Sequence, residues 1–335
     1  MYKDKEELYE KLSTKNFLDF YNSFRSVKDL IEFITSRKRP EVRIFKVESK
    51  VDTEITAVIP IKSIESQNVK TLTKKLDGFN IIYVESSGPF FNFSYSMNVG
   101  IREAILLNTK YIMLSNDDIF PIESAEKLQR SVMQNGIAKD VLIPSIMNGL
   151  SFLSPKQKIF NQSWLIKRIV SNNILSHLNP SQISKLSRLY LGKIKMYNLP
   201  EILKYIIIRE NDPLFDKNYL KLISHGMNLA ITKFTIPLVE INNIQPISII
   251  RSDLLKNEMF DEAFISGGED TDFSVRLSIK GARVGYLKER FQNIGGYSMG
   301  NSIDRILKNT IPEILVLGYK LNQYFLQVNS SLFYK

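Results

Sequence analysis

Between residues 55 and 115 the chain alternates apolar runs with amphipathic stretches. Residues 55–60 form a nearly unbroken apolar run, which predicts a buried strand stopped by Pro60. Val69, Leu72 and Leu76 follow at spacings of three and four, the period of a helix face, and Asp77-Gly78 ends that helix. A second apolar run at 80–85, a second helical face through Met97, Ile101, Ala104 and Ile105, and a third run at 111–114 continue the pattern. Strands and helices in strict alternation with short links predict an α/β domain whose sheet is mostly parallel, flanked by helices. Ligands of such sheets sit beyond the carboxyl ends of the strands. Three polar corners fall there: Pro60-Ile61-Lys62, Glu85-Ser86-Ser87 and Asn116-Asp117-Asp118.

The flanks read differently. Residues 1–50 are predicted as an N-terminal helical region. In it Phe17, Phe20, Tyr21 and Phe24 make an aromatic stripe suited to packing, and Ser26-Val27-Lys28-Asp29 resembles a helix start. Residues 51–122 then form the first half of the α/β domain and 243–300 the second. Residues 123–242 connect them and carry a basic, helical insertion broken at Pro155, Pro180, Pro200 and Pro213. Residues 236–242 and 247–251 read as extended, and 301–335 as terminal helices.

Composition narrows the chemistry. The 335 residues contain no cysteine, which excludes disulfides, thiolate zinc sites and a cysteine nucleophile. The net charge of +10 calls for an anionic partner. Between 156 and 221, twelve lysines and arginines face four acids, so most of the surplus sits in that segment. No run reaches the roughly 18 apolar residues of a membrane span, and the charged start Met1-Tyr2-Lys3-Asp4-Lys5 lacks a secretory core. A cytoplasmic protein is expected, with at most a peripheral membrane contact.

Two acidic segments carry candidate chemistry. Asp118, with Asp117 beside it, follows a strand where carboxylates could hold Mn²⁺ or Mg²⁺ against a diphosphate; the same residues also make an ordinary turn. Gly267-Gly268-Glu269-Asp270-Thr271-Asp272 puts three carboxylates behind a glycine pair. Asp270 could serve as a general base, Glu269 and Asp272 could grip hydroxyls, and Gly267 and Gly268 would admit a sugar close to the backbone. Ser266 to Glu269 also fits a capping box.

Taken in order, these segments resemble the inverting GT-A glycosyltransferases, a Rossmann-like fold, in particular the family-two enzymes and the beta-1,4-galactosyltransferase and chondroitin-synthase group. The resemblance rests on Pro60-Ile61-Lys62, on the Asn98-Val99-Gly100 helix core, on Asn116-Asp117-Asp118, and on Gly267-Gly268-Glu269-Asp270. It covers about residues 55–122 and 243–300. It implies a nucleotide-sugar donor, a UDP-sugar foremost, contacted by Pro60, Lys62, Glu85, Asn98, Asn116 and Asp117. It further implies a metal on Asp117 and Asp118, Asp270 as base, and a glycan or lipid-linked acceptor at Gly267, Gly268, Glu269 and Asp272. The chain departs from the family in having no histidine after the acidic loop, since His177 and His225 both precede it; Asn293 stands near the expected place. A competing reading is a non-catalytic basic protein that binds anionic membrane or nucleic acid through 156–221, although no nucleic-acid motif is present. A nucleotidyltransferase would need a glycine-rich loop after the first strand, and Ile61-Lys62-Ser63-Ile64 has no glycine.

Overall fold

The structure is a computed structural model that describes residues 2–12, 17–148, 151–153, 247–294 and scattered positions between 308 and 324. The basic segment 156–221 and the expected strand at 236–242 lie outside the described residues. The chain divides into two compact units: Met1–Ser36 with Lys158–Val239 and Gly300–Lys335, and Arg37–Gln157 with Glu240–Met299.

The first unit contains helices α1 (Tyr2–Glu10), α2 (Phe17–Asn22) and α3 (Val27–Ser36). Its aromatic stripe is packing, as expected: the Phe20 ring lies 5.0 Å from Phe24 and 5.7 Å from Phe33, edge-on to both. Helix α3 starts where the sequence places it. Ser26 Oγ accepts the Asp29 N–H at 3.2 Å, and the Asp29 carboxylate accepts the Arg25 N–H at 3.1 Å.

The second unit is a mixed α/β layer structure. Its strands are β1 (Val42–Val47), β2 (Ile55–Ile61), β3 (Asn80–Ser86), β4 (Tyr111–Ser115), β5 (Ile119–Pro121), β6 (Val141–Asn148), β7 (Ser151–Leu153), β8 (Ile247–Arg251) and β9 (Val284–Asn293). They run in the order β1-β3-β2-β4-β8-β6-β9-β5, with β7 paired to β6. Helices α4 (Gln67–Lys75), α5 (Phe93–Leu106), α6 (Ala125–Asn135), α7 (Ser252–Leu255) and α8 (Glu269–Ile279) complete the unit.

The expectation of a mostly parallel sheet needs correction. Among the described residues only β2 with β3, β2 with β4, and β6 with β9 pair in parallel; the other ladders are antiparallel. The βα alternation read correctly describes β2, α4, β3, α5 and β4. Beyond it, β1 and β8 join the sheet antiparallel to β3 and β4. Strand β1 also falls inside the stretch expected to be helical.

Strands β2 and β4 are buried at every position, as strands covered on both faces must be. The two-residue period sends Ile55, Ala57, Ile59 and Ile61 to one face, against Leu72 of α4 and Leu128 of α6. Val58, Ile82, Val84 and Ile112 go to the other, against Met97 and Ile101 of α5 and Phe273 of α8. Helix α5 lies so close to the sheet that a Cβ on Gly100 would stand 2.3 Å from Val58 Cγ1 and 2.9 Å from Val84 Cγ2. Gly100→Ala is therefore expected to destabilise the protein by about 1–3 kcal/mol through overpacking. Urea unfolding checks this, and an unchanged midpoint would refute it.

Pro60 does not stop its strand, contrary to expectation. It pairs with Val84, and β2 continues to Ile61 opposite Glu85. The reason is local: β4 leaves β2 at Val58, so past that point β2 has a neighbour on one side only, where a missing N–H is tolerated. The departure of β4 also opens the sheet at this corner.

At the other end, Asp140 joins three elements. It accepts from the Arg283 backbone N–H at 2.8 Å and from the Arg283 guanidinium at 3.0 Å, and it pairs with Arg251 at 3.4 Å. The Arg283 hydrogen bond is the main force holding its carboxyl below the ordinary value of 3.8. A depressed folded pKa contributes stability above the unfolded value and loses it as pH falls through the folded one. The stability gap between wild type and Asp140→Asn should thus be constant near neutrality and close in acid, below about 3.8. Urea midpoints across that range test it; a pH-independent gap would show the ion pairs to be inert.

Candidate active site

At the corner where β4 leaves β2, a cavity of about 280 Å³ opens beyond the carboxyl ends of β2, β3 and β4. Pro60 and Lys62 wall it from the end of β2, Asn116 and Asp117 from the end of β4. The Ser86-Ser87-Gly88 turn and the rings of Phe91 and Phe93 close it from the side of β3 and α5. Four of the predicted donor contacts therefore do share one hollow. The two aromatic walls and Gly88 were not foreseen, though the turn signal Gly88-Pro89 and the ring cluster before the helix were legible.

Helix α5 starts at this wall because Asn92 caps it, its Oδ1 accepting the Tyr95 N–H at 2.8 Å. The cap's Nδ2 donates to Glu262 O at 2.9 Å, and the Phe93 N–H donates to Ile265 O at 2.7 Å. These bonds moor the chain before the acidic loop to the helix whose first residue faces the cavity. The acidic loop itself is not among the cavity's walls.

Asp117 is half-buried and Asp118 is 8% exposed. Burial first, then the neighbouring Asp118 charge, push the Asp117 carboxyl up to about 6. Two crowded carboxylates at a strand end are a donor set that a hard divalent cation completes with phosphate oxygens and water. Among the described residues no group of three or more His, Asp or Glu side chains is placed to hold a metal. The pair fits the sparse protein ligation of Mg²⁺, not an all-protein cage.

The acidic loop uses its glycines for conformation. Gly267 and Gly268 have φ of 133° and 80°, and Gly268 is the left-handed cap of α8. The capping box expected from Ser266 does not form, because the helix begins two residues later. Glu269 instead accepts the Gly267 N–H and locks the turn. Asp270 is partly exposed, yet sits deep enough that burial raises its carboxyl. The Thr271 N–H, at 2.7 Å, opposes that rise.

Three expected ligand contacts are occupied by the protein itself. Asp272 is fully buried, its carboxylate 2.8 Å from Arg276 Nε. Asn98 is 3% exposed: its Oδ1 accepts the Phe260 N–H at 3.0 Å and its Nδ2 donates to Phe260 O at 2.9 Å. Glu85 accepts the Ile64 N–H at 2.8 Å and pairs with Arg43. The Ile64 bond foremost, then Arg43, hold its carboxyl below the ordinary range. Each is a positioning residue: Asp272 for α8, Asn98 for the 258–262 turn, Glu85 for the loop that carries Lys62.

No protein-family model matches the chain, and no curated protein matches it in sequence. Among solved structures it is similar to residues 1–349 of S. aureus TarS, with 12% identity and a TM-score of 0.35, over 71% of this chain and 59% of that one. The chain thus spans less than two thirds of the solved chain it matches. No helix of the described residues is long and apolar enough to cross a membrane.

Proposed function

We propose that the chain is a GT-A-type glycosyltransferase that moves a sugar from a nucleotide-sugar donor to an acceptor hydroxyl with inversion. The observation that carries this reading is the cavity at the strand ends, with Lys62 and Asp117 just past the neighbouring strands β2 and β4. The chain just before the Gly267-to-Asp272 loop is tied to the cavity wall by the Phe93 N–H, which donates to Ile265 O. The donor's nucleoside lies against the Phe91 and Phe93 rings and its diphosphate meets Lys62 and the Asp117–Asp118 corner. A Mn²⁺ or Mg²⁺ ion held by those two aspartates would neutralise charge on the departing diphosphate. Asp270 takes the proton from the acceptor hydroxyl as its oxygen bonds to the anomeric carbon, and the bond from that carbon to the phosphate oxygen breaks. Glu269 and the glycines shape the acceptor's approach. The acceptor is a glycan or a lipid-linked sugar.

Thermal unfolding with a UDP-sugar, with and without Mn²⁺, tests the reading. Saturating donor should stabilise the protein by about 2–3 kcal/mol at a hundredfold excess over Kd. The Mn²⁺-dependent share should vanish in Asp117→Asn/Asp118→Asn. If neither UDP-sugars nor those of other bases shift unfolding at millimolar concentration, the proposal is wrong.

A further inference from the structure

A second, larger cavity of about 430 Å³ lies at the opposite end of β4. Lys110 precedes that strand's first residue, whereas Asn116 and Asp117 follow its last. The C-terminus of α5, the 3₁₀ turn Gly136–Ala138 and the segment from Arg251 through α7 enclose it. Neither the donor site nor the acidic loop reaches it, so the proposed transfer leaves it without a role.

Its charge is unbalanced. The one carboxylate on its wall, Asp253, is taken up by Arg251, with Nε at 3.0 Å, and by the Leu254 N–H at 2.9 Å. The second contact of Arg251 is Asp140. Lys110 and Lys256 also stand on the wall, both exposed, and neither forms an ion pair among the described residues. Among the described residues, two positive charges thus remain uncompensated around the hollow.

A buried hydroxyl lies directly behind that wall. Tyr111 is 1% exposed and its Oη has no hydrogen-bond partner among the described residues. It lies directly against Gly136, a wall residue, where a Cβ would come within 2.2 Å of it. Burial holds its pKa above the ordinary value, so it stays protonated and able to donate. An unsatisfied buried hydroxyl costs about 1–3 kcal/mol, and such groups commonly mark a missing water or ligand. The Lys110 ammonium lies 5.6 Å over the same ring. Apolar surface completes the wall: Ile105, and Ile137, which is 77% exposed. A few polar groups converging beside apolar walls is the usual make-up of a small-molecule site.

We propose that this cavity binds a small anionic molecule, its phosphate or carboxylate group held by Lys110 and Lys256 and its apolar body resting on Ile105 and Ile137. The proposal stands apart from the glycosyltransferase reading and survives its failure. Thermal unfolding is followed during titration with inorganic phosphate and, separately, with butyrate, each against chloride at matched ionic strength. At least one anion should stabilise saturably, and that effect should persist in Lys62→Ala, which disarms the first cavity. It should weaken about tenfold or more in Lys110→Gln/Lys256→Gln, a loss near 1.4 kcal/mol. A response to phosphate alone assigns a phosphate-bearing ligand, and a response to butyrate alone a carboxylate. Should the double variant misfold, Lys256→Gln by itself carries the comparison. No saturable response to either anion overturns the proposal, as does a response that Lys62→Ala removes and the lysine variants leave intact.

Discussion

Asp270→Asn is expected to reduce turnover by about 10² to 10⁴, the usual contribution of a positioned general base. Donor affinity should change less than about twofold. Asparagine keeps the shape and still accepts the Thr271 N–H now made at 2.7 Å, so the helix start survives. What it loses is the capacity to take a proton. Release of nucleoside diphosphate from a UDP-sugar measures the loss, and thermal shift measures donor binding. Because burial raises the Asp270 carboxyl, wild-type activity should climb with pH through that group's pKa as the base deprotonates. The residual activity of the variant should lack that limb. Turnover within about threefold of wild type would remove Asp270 from the mechanism.

Arg276→Ala is expected to destabilise the protein strongly, by about 3 kcal/mol. The guanidinium bonds Asp272 at 2.8 Å and the Met259 carbonyl at 2.7 Å, and it pairs with Glu258. Asp272 is fully buried, so losing the cation leaves a carboxylate in low dielectric. The cost is not the worth of the pair but the penalty for the charge left behind. Asp272→Leu/Arg276→Met should consequently recover part of the loss. Urea unfolding decides it, and a loss below about 1 kcal/mol for Arg276→Ala would show that Asp272 finds relief elsewhere. Since α8 carries Asp270 in its first turn, activity should fall alongside stability.

Legibility in the sequence followed burial. Strands β3, β4 and β8 were read nearly to the residue because both faces are covered, leaving runs that are mostly apolar. Strand β1 was missed for the opposite reason. It lies at the sheet edge, no position is fully buried, and Arg43 and Lys46 interrupt its apolar residues. Pairing direction was overextended because hydrophobic runs look alike in parallel and antiparallel ladders. Lys62 and Asp117 line the strand-end hollow because a polar residue just past a buried strand has few other places to go. Asn98, Glu85 and Asp272, expected as ligand contacts, bond groups of the protein itself. A polar residue within a motif reads the same whether it faces a ligand or the Phe260 backbone, the Ile64 N–H or Arg276.

Residue order alone settled the βαβ core, the strand-end corners and the glycine-acid loop. These depend on local periodicity and on residues a few positions apart. Packing settled which acids face a cavity and which are spent on the protein's own groups: Arg43 comes from 42 residues away to pair with Glu85, and Glu258 from 18 away to meet the Arg276 that also holds buried Asp272. The second hollow belongs wholly to that category: Lys110, Gly136 and Lys256 share no motif and meet only because β8 folds back antiparallel onto β4. Contacts across such distances leave no period in the chain for a reader to follow.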